Sequence, residues 1–261
     1  MERPEIDLRS ASVARIFDYY LGGAHNFAVD RELADAAARL MPELPRMTQL
    51  HRSFLARALR HLVDQGVTQF LDLGSGLPTV GGSAEVARRL DPSSRVVHVD
   101  IDPAVIAHGK HLLDSADTTM VLGDMTEPDA VLDHPETRRL LDLDRPVGLL
   151  MVGVLDFVGD DVDLPAVMAR YRDRIAPGSH VVLTHYAGAV DEDYLRARQL
   201  YRDNTIDFHP RSGPEVTELL AGYELAEPGV VDVSMWRPEA VEDLDGEPER
   251  SAVHVAVGRR P

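Results

Sequence analysis

The chain has 261 residues, 44% of them hydrophobic and 27% charged, a balance that supports a buried core and argues against wholesale disorder. Its net charge of −17 repels a nucleic-acid backbone, and no run of arginines is dense enough to make a phosphate track, so nucleic acid is not expected as a partner. Cysteine is absent, which removes disulfides, thiolate nucleophiles and cysteine metal sites.

Lys110 is the only lysine and no Gly-x-x-x-x-Gly-Lys pattern surrounds it, which rules out a P-loop and leaves little room for a Schiff-base lysine. The first residues are charged and no apolar run reaches the ~18 residues of a membrane span. The expected location is the cytoplasm, without a membrane partner.

In chain order, residues 10–21, 29–41 and 46–65 read as three helices, the first capped by Ser10 and broken by Gly22-Gly23. They precede the first strand, so residues 1–66 are expected to form an appended helical lid and residues 67–261 the core. From there short Val- and Leu-rich runs alternate with helical spacing. Strands are expected at 69–73, 95–99, 119–123, 146–152 and 179–184, apolar throughout as in a parallel sheet covered on both faces. Helices are expected at 83–90, 103–113, 164–175 and 191–203, with Ser83 and Asp102 as N-caps and Pro103 in a first turn.

Such alternation builds right-handed βαβ units. The runs 230–235 and 252–257 are joined only by a polar stretch, too polar for a crossover helix, and are expected to pair antiparallel. The fold expected is therefore α/β: a Rossmann-like, mostly parallel sheet with a terminal antiparallel strand pair and an N-terminal helical segment. Class I methyltransferases share that outline.

The chemistry-bearing residues stand at strand ends. The first strand runs into Asp72-Leu73-Gly74-Ser75-Gly76, where glycines let a ligand approach the backbone. Dinucleotide folds use a third glycine to pack a helix under a pyrophosphate, but here that position is Pro78. S-adenosylmethionine has no phosphate, and its amino-acid end needs amides, from Gly74, Ser75 and Gly76, and a carboxylate such as Asp72. Asp100 ends the second strand 24 residues beyond Gly76, where an acid accepts bonds from ribose hydroxyls. Asp124 and Met125 end the third, placed for the adenine amino group and a ring nitrogen, with Ile101 against the adenine face. Each acid alone reads as a solvated loop residue; three at successive strand ends do not.

Three runs carry a family resemblance: residues 17–30, which contain Leu21-Gly22-Gly23 and Asn26-Phe27, residues 70–79, and residues 144–150. Together they resemble a bacterial family of S-adenosylmethionine-dependent methyltransferases whose acceptors are largely unassigned. The resemblance spans residues 10–258 and implies the class I fold and the cofactor.

The Gly22-Gly23 break leaves His25, Asn26 and Phe27 on a loop. Residues 19–30 are expected to form a mobile cover in which Asn26 meets the cofactor and His25 the reacting groups; the competing reading is a capped structural turn. Arg52 is expected to reach the cofactor carboxylate or to form a surface ion pair. After the fourth strand, Val154 joins the cofactor set and Asp156 is expected to orient the acceptor. His185, followed by Tyr186, is the base-capable residue at the end of the fifth strand, and Trp236 is a candidate for lining an acceptor pocket. No histidine pair has metal-binding spacing on a helix, so no metal is expected.

The function expected is S-adenosylmethionine-dependent methyl transfer to a small molecule. Its rivals are a non-catalytic S-adenosylmethionine-binding regulator and an NAD-dependent oxidoreductase, the latter made awkward by Pro78 and by the terminal antiparallel pair.

Overall fold

A computed structural model describes residues 9–78, 81–113, 115–186, 191–243 and 253–261. Helices α1 (Val13–Tyr20), α2 (Ala28–Leu40) and α3 (Leu44–Asp64) lead into β1 (Gln69–Leu73). Then come α4 (Ser83–Leu90), β2 (Arg95–Asp100), α5 (Pro103–Leu113), β3 (Thr118–Leu122), α6 (Pro128–Leu132), α7 (Pro135–Leu140) and β4 (Gly148–Met151). The chain continues through α8 (Leu164–Arg174), β5 (His180–Tyr186), α9 (Glu192–Arg202), α10 (Gly213–Glu218), β6 (Glu224–Leu225), β7 (Val231–Asp232) and β8 (Val253–Arg259).

The sheet runs β3-β2-β1-β4-β5-β8-β6, with β7 also on β8. The five strands from β3 to β5 are parallel, and β8 lies antiparallel to β5, β6 and β7. This is the expected mostly parallel α/β sheet with an antiparallel end.

Strand periodicity explains how both faces are buried. Leu71, Leu73, Val97, Leu149, Met151, Val181 and Leu183 point into one cluster, with residues of α6, α7 and α8. Their neighbours Phe70, Val96, Leu150 and Val182 point the other way, into a cluster with Leu50, Phe54, Leu59 and Leu62 of α3. Successive side chains of a strand alternate faces, so continuous apolar runs need a covering layer on each side.

That second layer revises the expected division at residue 66. Helix α3, counted in the sequence with an appended lid, is the cover of one sheet face. Trp236 also belongs to this core: it is fully buried, edge-on to Phe54 at 5.3 Å, and lines neither of the cavities described below. Arg57 of α3 clamps the segment, donating to the carbonyls of Val233 (2.7 Å) and Trp236 (3.0 Å) and pairing with Asp243 (2.6 Å).

Two expected caps move. Helix α1 starts at Val13 behind Ser12, not at Ser10, and Ser12 makes no cap of its own; its hydroxyl donates to Asp102 Oδ2 at 3.0 Å. Ser83 stands inside α4, with Gly82 at the N-cap, and its hydroxyl donates to Asp72. Asp102 does cap α5, accepting from Ala104 N–H at 2.7 Å. Strand β7 covers only two residues of the expected 230–235 run, and residue 252 of the last expected strand lies outside the described residues.

Because α3 is core, Leu59→Ala should cost roughly 2–5 kcal/mol, the usual range for a buried leucine truncation. Urea unfolding followed by circular dichroism measures it. A change below about 0.5 kcal/mol, the size of an ordinary surface effect, would restore α3 to the role of a peripheral cover.

Candidate functional site

The carboxyl ends of β1, β2 and β3 open on one side of the sheet, where a parallel sheet places its ligands. The turn after β1 is shaped by two glycines in the left-handed region, Gly74 (φ 68°) and Gly76 (φ 64°). A Cβ on Gly74 would overlap the side chain of Val154, from the loop after β4. The Gly74 and Ser75 amides both donate to the Val99 carbonyl, at 2.9 and 3.1 Å.

Gly76 N–H donates to Asp100 Oδ2 at 2.8 Å, and Asp102 N–H donates to Oδ1 at 3.0 Å. Burial pushes the Asp100 carboxyl above its ordinary range, opposed by these two amides. Each Asp100 oxygen has further acceptor capacity. The Asp72 carboxylate accepts from the Ser83 hydroxyl and lies 3.3 Å from His98 Nδ1.

These groups line a cavity of about 530 Å³, within the ~300–1,000 Å³ range of small-molecule sites. Asp124, after β3, accepts from Thr126 N–H (2.8 Å) and Oγ1 (2.7 Å) through Oδ1. Met125 next to it is fixed by Tyr171, whose hydroxyl donates to the Met125 carbonyl at 2.9 Å. Ile101 presents a 68% exposed side chain on the same wall. The roof comes from α1, through Ala14, Phe17 and Asp18, and from α3, through Thr48, His51 and Arg52.

The electrostatics are lopsided. Five carboxylates, Asp18, Asp72, Asp100, Asp102 and Asp124, share the described lining with one guanidinium, Arg52. Burial lowers the pKa of Arg52, and the carboxylates of Asp72 and Asp18 oppose that shift. Arg52 is thus a half-buried cation among acids.

The structure therefore gathers Asp72, Gly74, Ser75, Gly76, Asp100, Ile101, Asp124, Met125, Val154 and Arg52 around one cavity. Asn26 is not in its lining. The Asn26 amide nitrogen donates to Asp18 Oδ2 (2.8 Å) and to the Gly23 carbonyl (3.0 Å), closing a local turn. His25 also stays outside the lining; its amide donates to Asp18 Oδ2 at 2.7 Å, and its ring lies 4.3 Å from that of His108. Of this N-terminal region, α1 and α3 rather than the loop at residues 21–27 line the cavity.

His185 is no base at a strand end. Strand β5 runs two residues past the expected end, leaving His185 fully buried. Its Nδ1 lies 3.0 Å from Asp156 Oδ1, and its Nε2 lies 3.0 Å from the Arg211 guanidinium. Asp156 is committed as well, accepting from Tyr186 N–H at 2.7 Å. These residues lock the loop after β4 to the strand and do not touch the large cavity.

Two residues there escaped the sequence reading. Asp18 is buried, and its Oδ1 has no hydrogen-bond partner among the described residues. His51 is buried with an unpartnered Nδ1, and burial brings its pKa down to about 4, against the influence of Asp156. The signal for His51 was its place in the apolar stripe of α3, with Phe54, Leu55 and Ala58 at helical spacing. No group of three or more His, Asp or Glu among the described residues is arranged to hold a metal.

A family model described as S-adenosyl methyltransferase matches residues 1–261. A DUF574 family protein of Streptomyces avermitilis is 36% identical, with a TM-score of 0.92 over 98% of this chain and 100% of that one. A candidate methyltransferase of Thermobifida fusca is 37% identical, with a TM-score of 0.89 over 98% and 97%. The pyocyanin biosynthetic protein PhzM, 17% identical over 84% of this chain and 57% of its own, shares the fold at a TM-score of 0.51. No curated protein matches the sequence.

The contact under Gly74 makes a prediction independent of any ligand. Gly74→Ala should destabilise by about 1–3 kcal/mol through backbone strain and overpacking against Val154. Val154→Gly in the same chain should recover the overpacking share only, since alanine would keep a Cβ 2.6 Å from the new one. A thermal-melt double-mutant cycle with no coupling between the two sites would show that Val154 does not set the turn.

Proposed function

Since the chain belongs to the S-adenosyl methyltransferase family, with S-adenosylmethionine as its cofactor, we propose that the 530 Å³ cavity holds this cofactor and delivers its methyl group to a small-molecule acceptor. The observation that carries the assignment is the charge of the lining. S-adenosylmethionine bears a sulfonium, an ammonium and a carboxylate, a net single positive charge. A wall of five carboxylates and one guanidinium favours that cation and repels the pyrophosphate of a nicotinamide dinucleotide.

Each end of the cofactor finds complementary groups. Arg52 would pair with the carboxylate, and the Asp72 and Asp18 carboxylates, both in the lining, would attract the ammonium. Gly74 and Gly76, on either side of Ser75, let the chain approach closely without a Cβ in the way, with Val154 packed against Gly74. The remaining acceptor capacity of Asp100 suits the ribose hydroxyls. Ile101 and Met125 give apolar contact to the adenine, and Asp124 can accept from its amino group.

When bound, the cofactor supplies an electrophilic methyl group on a sulfonium. The chain contributes positioning and desolvation: α1 and α3 roof the cavity and exclude water, which strengthens every charge interaction beneath them. A small acceptor is the reading supported by the size of the cavity and by the acidic surface, which disfavours nucleic acid. No helix among the described residues is long and apolar enough to cross a membrane.

Calorimetry tests the reading. S-adenosylhomocysteine should bind with micromolar affinity and NADH should not; no heat and no thermal stabilisation at millimolar S-adenosylhomocysteine would overturn it. Asp100→Ala removes bonds to a charged acceptor worth ~1.5–3 kcal/mol. At 1.4 kcal/mol per decade, affinity should fall about 10- to 150-fold. An unchanged dissociation constant in a folded variant would place the ribose elsewhere.

A further inference from the structure

Beside the large cavity lies a second, narrow one of about 50 Å³. Phe17, Thr48, His51 and Phe157 line both, so the two meet at these side chains. The rest of the slot is aromatic and aliphatic but for Asp156 and Arg198. Tyr186 and Tyr194 stack in parallel with ring centres 5.5 Å apart, and Phe208 packs on Phe157 at 4.7 Å.

Two residues that line this apolar slot carry a buried polar atom with no hydrogen-bond partner among the described residues: Nδ1 of His51 and the hydroxyl of Tyr194, on residues 6% and 4% exposed. Leaving such a group buried and unsatisfied costs ~1–3 kcal/mol, and native structures keep very few of them without a ligand, an ion or a water to answer them. The charged groups of the slot already have partners. Asp156 Oδ1 accepts from Tyr186 N–H and meets His185, and Arg198 pairs with Asp207 at 2.9 Å. The rest of the described lining is uncharged, which suits a neutral, hydrogen-bonding guest.

We propose that this slot is the acceptor subsite and takes an uncharged aromatic alcohol, its ring against the tyrosines and phenylalanines and its hydroxyl bonded to His51 Nδ1 and the Tyr194 hydroxyl. The assignment rests on the cofactor reading of the larger cavity. Alone the slot is too small for a ring, since an apolar cavity that takes benzene measures ~150 Å³. The ring therefore straddles the junction at Phe17 and Phe157, with one edge in the slot and the other toward the larger cavity. The protonation state of His51 suits an acceptor role. Burial holds its pKa at about 4, so near neutral pH the imidazole is uncharged and one ring nitrogen can accept a hydrogen bond. Tyr194, pushed up to about 12 by burial, keeps its proton and can donate to the same hydroxyl. The charged and titratable groups acting on His51 are Asp156 from the loop after β4, Arg52 from its own helix and His185 from β5.

The test uses the full chain, with 4-ethylphenol as probe and ethylbenzene as the same shape without the hydroxyl. Calorimetric titrations are run with and without saturating S-adenosylhomocysteine, on the parent chain, Tyr194→Phe and His51→Leu, with circular dichroism melts to establish folding. The expected result is binding of 4-ethylphenol in the presence of S-adenosylhomocysteine, weakened about tenfold by either substitution. Ethylbenzene should bind less tightly and be indifferent to Tyr194→Phe. If S-adenosylhomocysteine binds but the phenol does not at millimolar concentration, or if a folded Tyr194→Phe binds it unchanged, the slot holds only water and the inference falls while the cofactor reading stands. If S-adenosylhomocysteine itself fails to bind, the cofactor reading falls and the acceptor assignment with it.

Discussion

The hydrogen bond from Gly76 N–H to the Asp100 carboxylate, 2.8 Å long, ties the turn after β1 to the end of β2, and the rest of the site hangs on that tie. A buried carboxylate must be answered by donors or it protonates. Asp100 is answered by amides of its own scaffold, Gly76 and Asp102, so it remains an acceptor without spending its whole capacity. The same bond fixes the path of the glycine turn, which is pressed from below by Val154. A strand end from each side of β1, one from β2 and one from β4, thereby sets the geometry of a loop belonging to neither.

The second tier of constraint is charge. Arg52 is drawn partly out of water on α3, a costly step for an ion unless acids stand near it. Asp72 and Asp18 are acids that favour its charge. Removing either carboxylate would weaken that support, so the three side chains are electrostatically coupled. Such a unit suits a ligand end that carries both signs, because an ammonium and a carboxylate can enter without changing the net balance.

Much of this was legible in the sequence because parallel strands covered on both faces are apolar at every position, and such runs are easily read. Once β1, β2 and β3 are placed, their carboxyl ends must lie on one edge, so Asp72, Asp100 and Asp124 could be grouped without coordinates. Short elements carried no such signal. Helices α6 and α7 have five and six residues, less than two turns, and β6 and β7 have two residues each, too few for any period. His185 was misplaced by a boundary: with β5 extended to Tyr186, strand alternation sends His185 to the side of Val181 and Leu183 and Tyr186 to the side of Val182. The tyrosine thus reaches the slot under α3, and the histidine is sealed beneath the other layer.

The Leu-Gly-Gly-x-x-Asn-Phe segment shows how a distinctive motif can serve a site it never enters. Gly23 packs directly on Asp18, where a Cβ would overlap the carboxylate. The His25 amide and the Asn26 side chain both donate to the other carboxylate oxygen, Oδ2. All three hold one acid at the end of α1. Oδ2 accepts twice and Oδ1 lies 3.8 Å from the His25 ring, which fixes the carboxylate beside the cavity that Asp18 lines. A Cβ at position 23 would strike the same carboxylate that Asn26 binds, which couples the glycine and the asparagine as one device. The motif is then a holder for Asp18, and the part of the chain that lines the cavity is the helix before it.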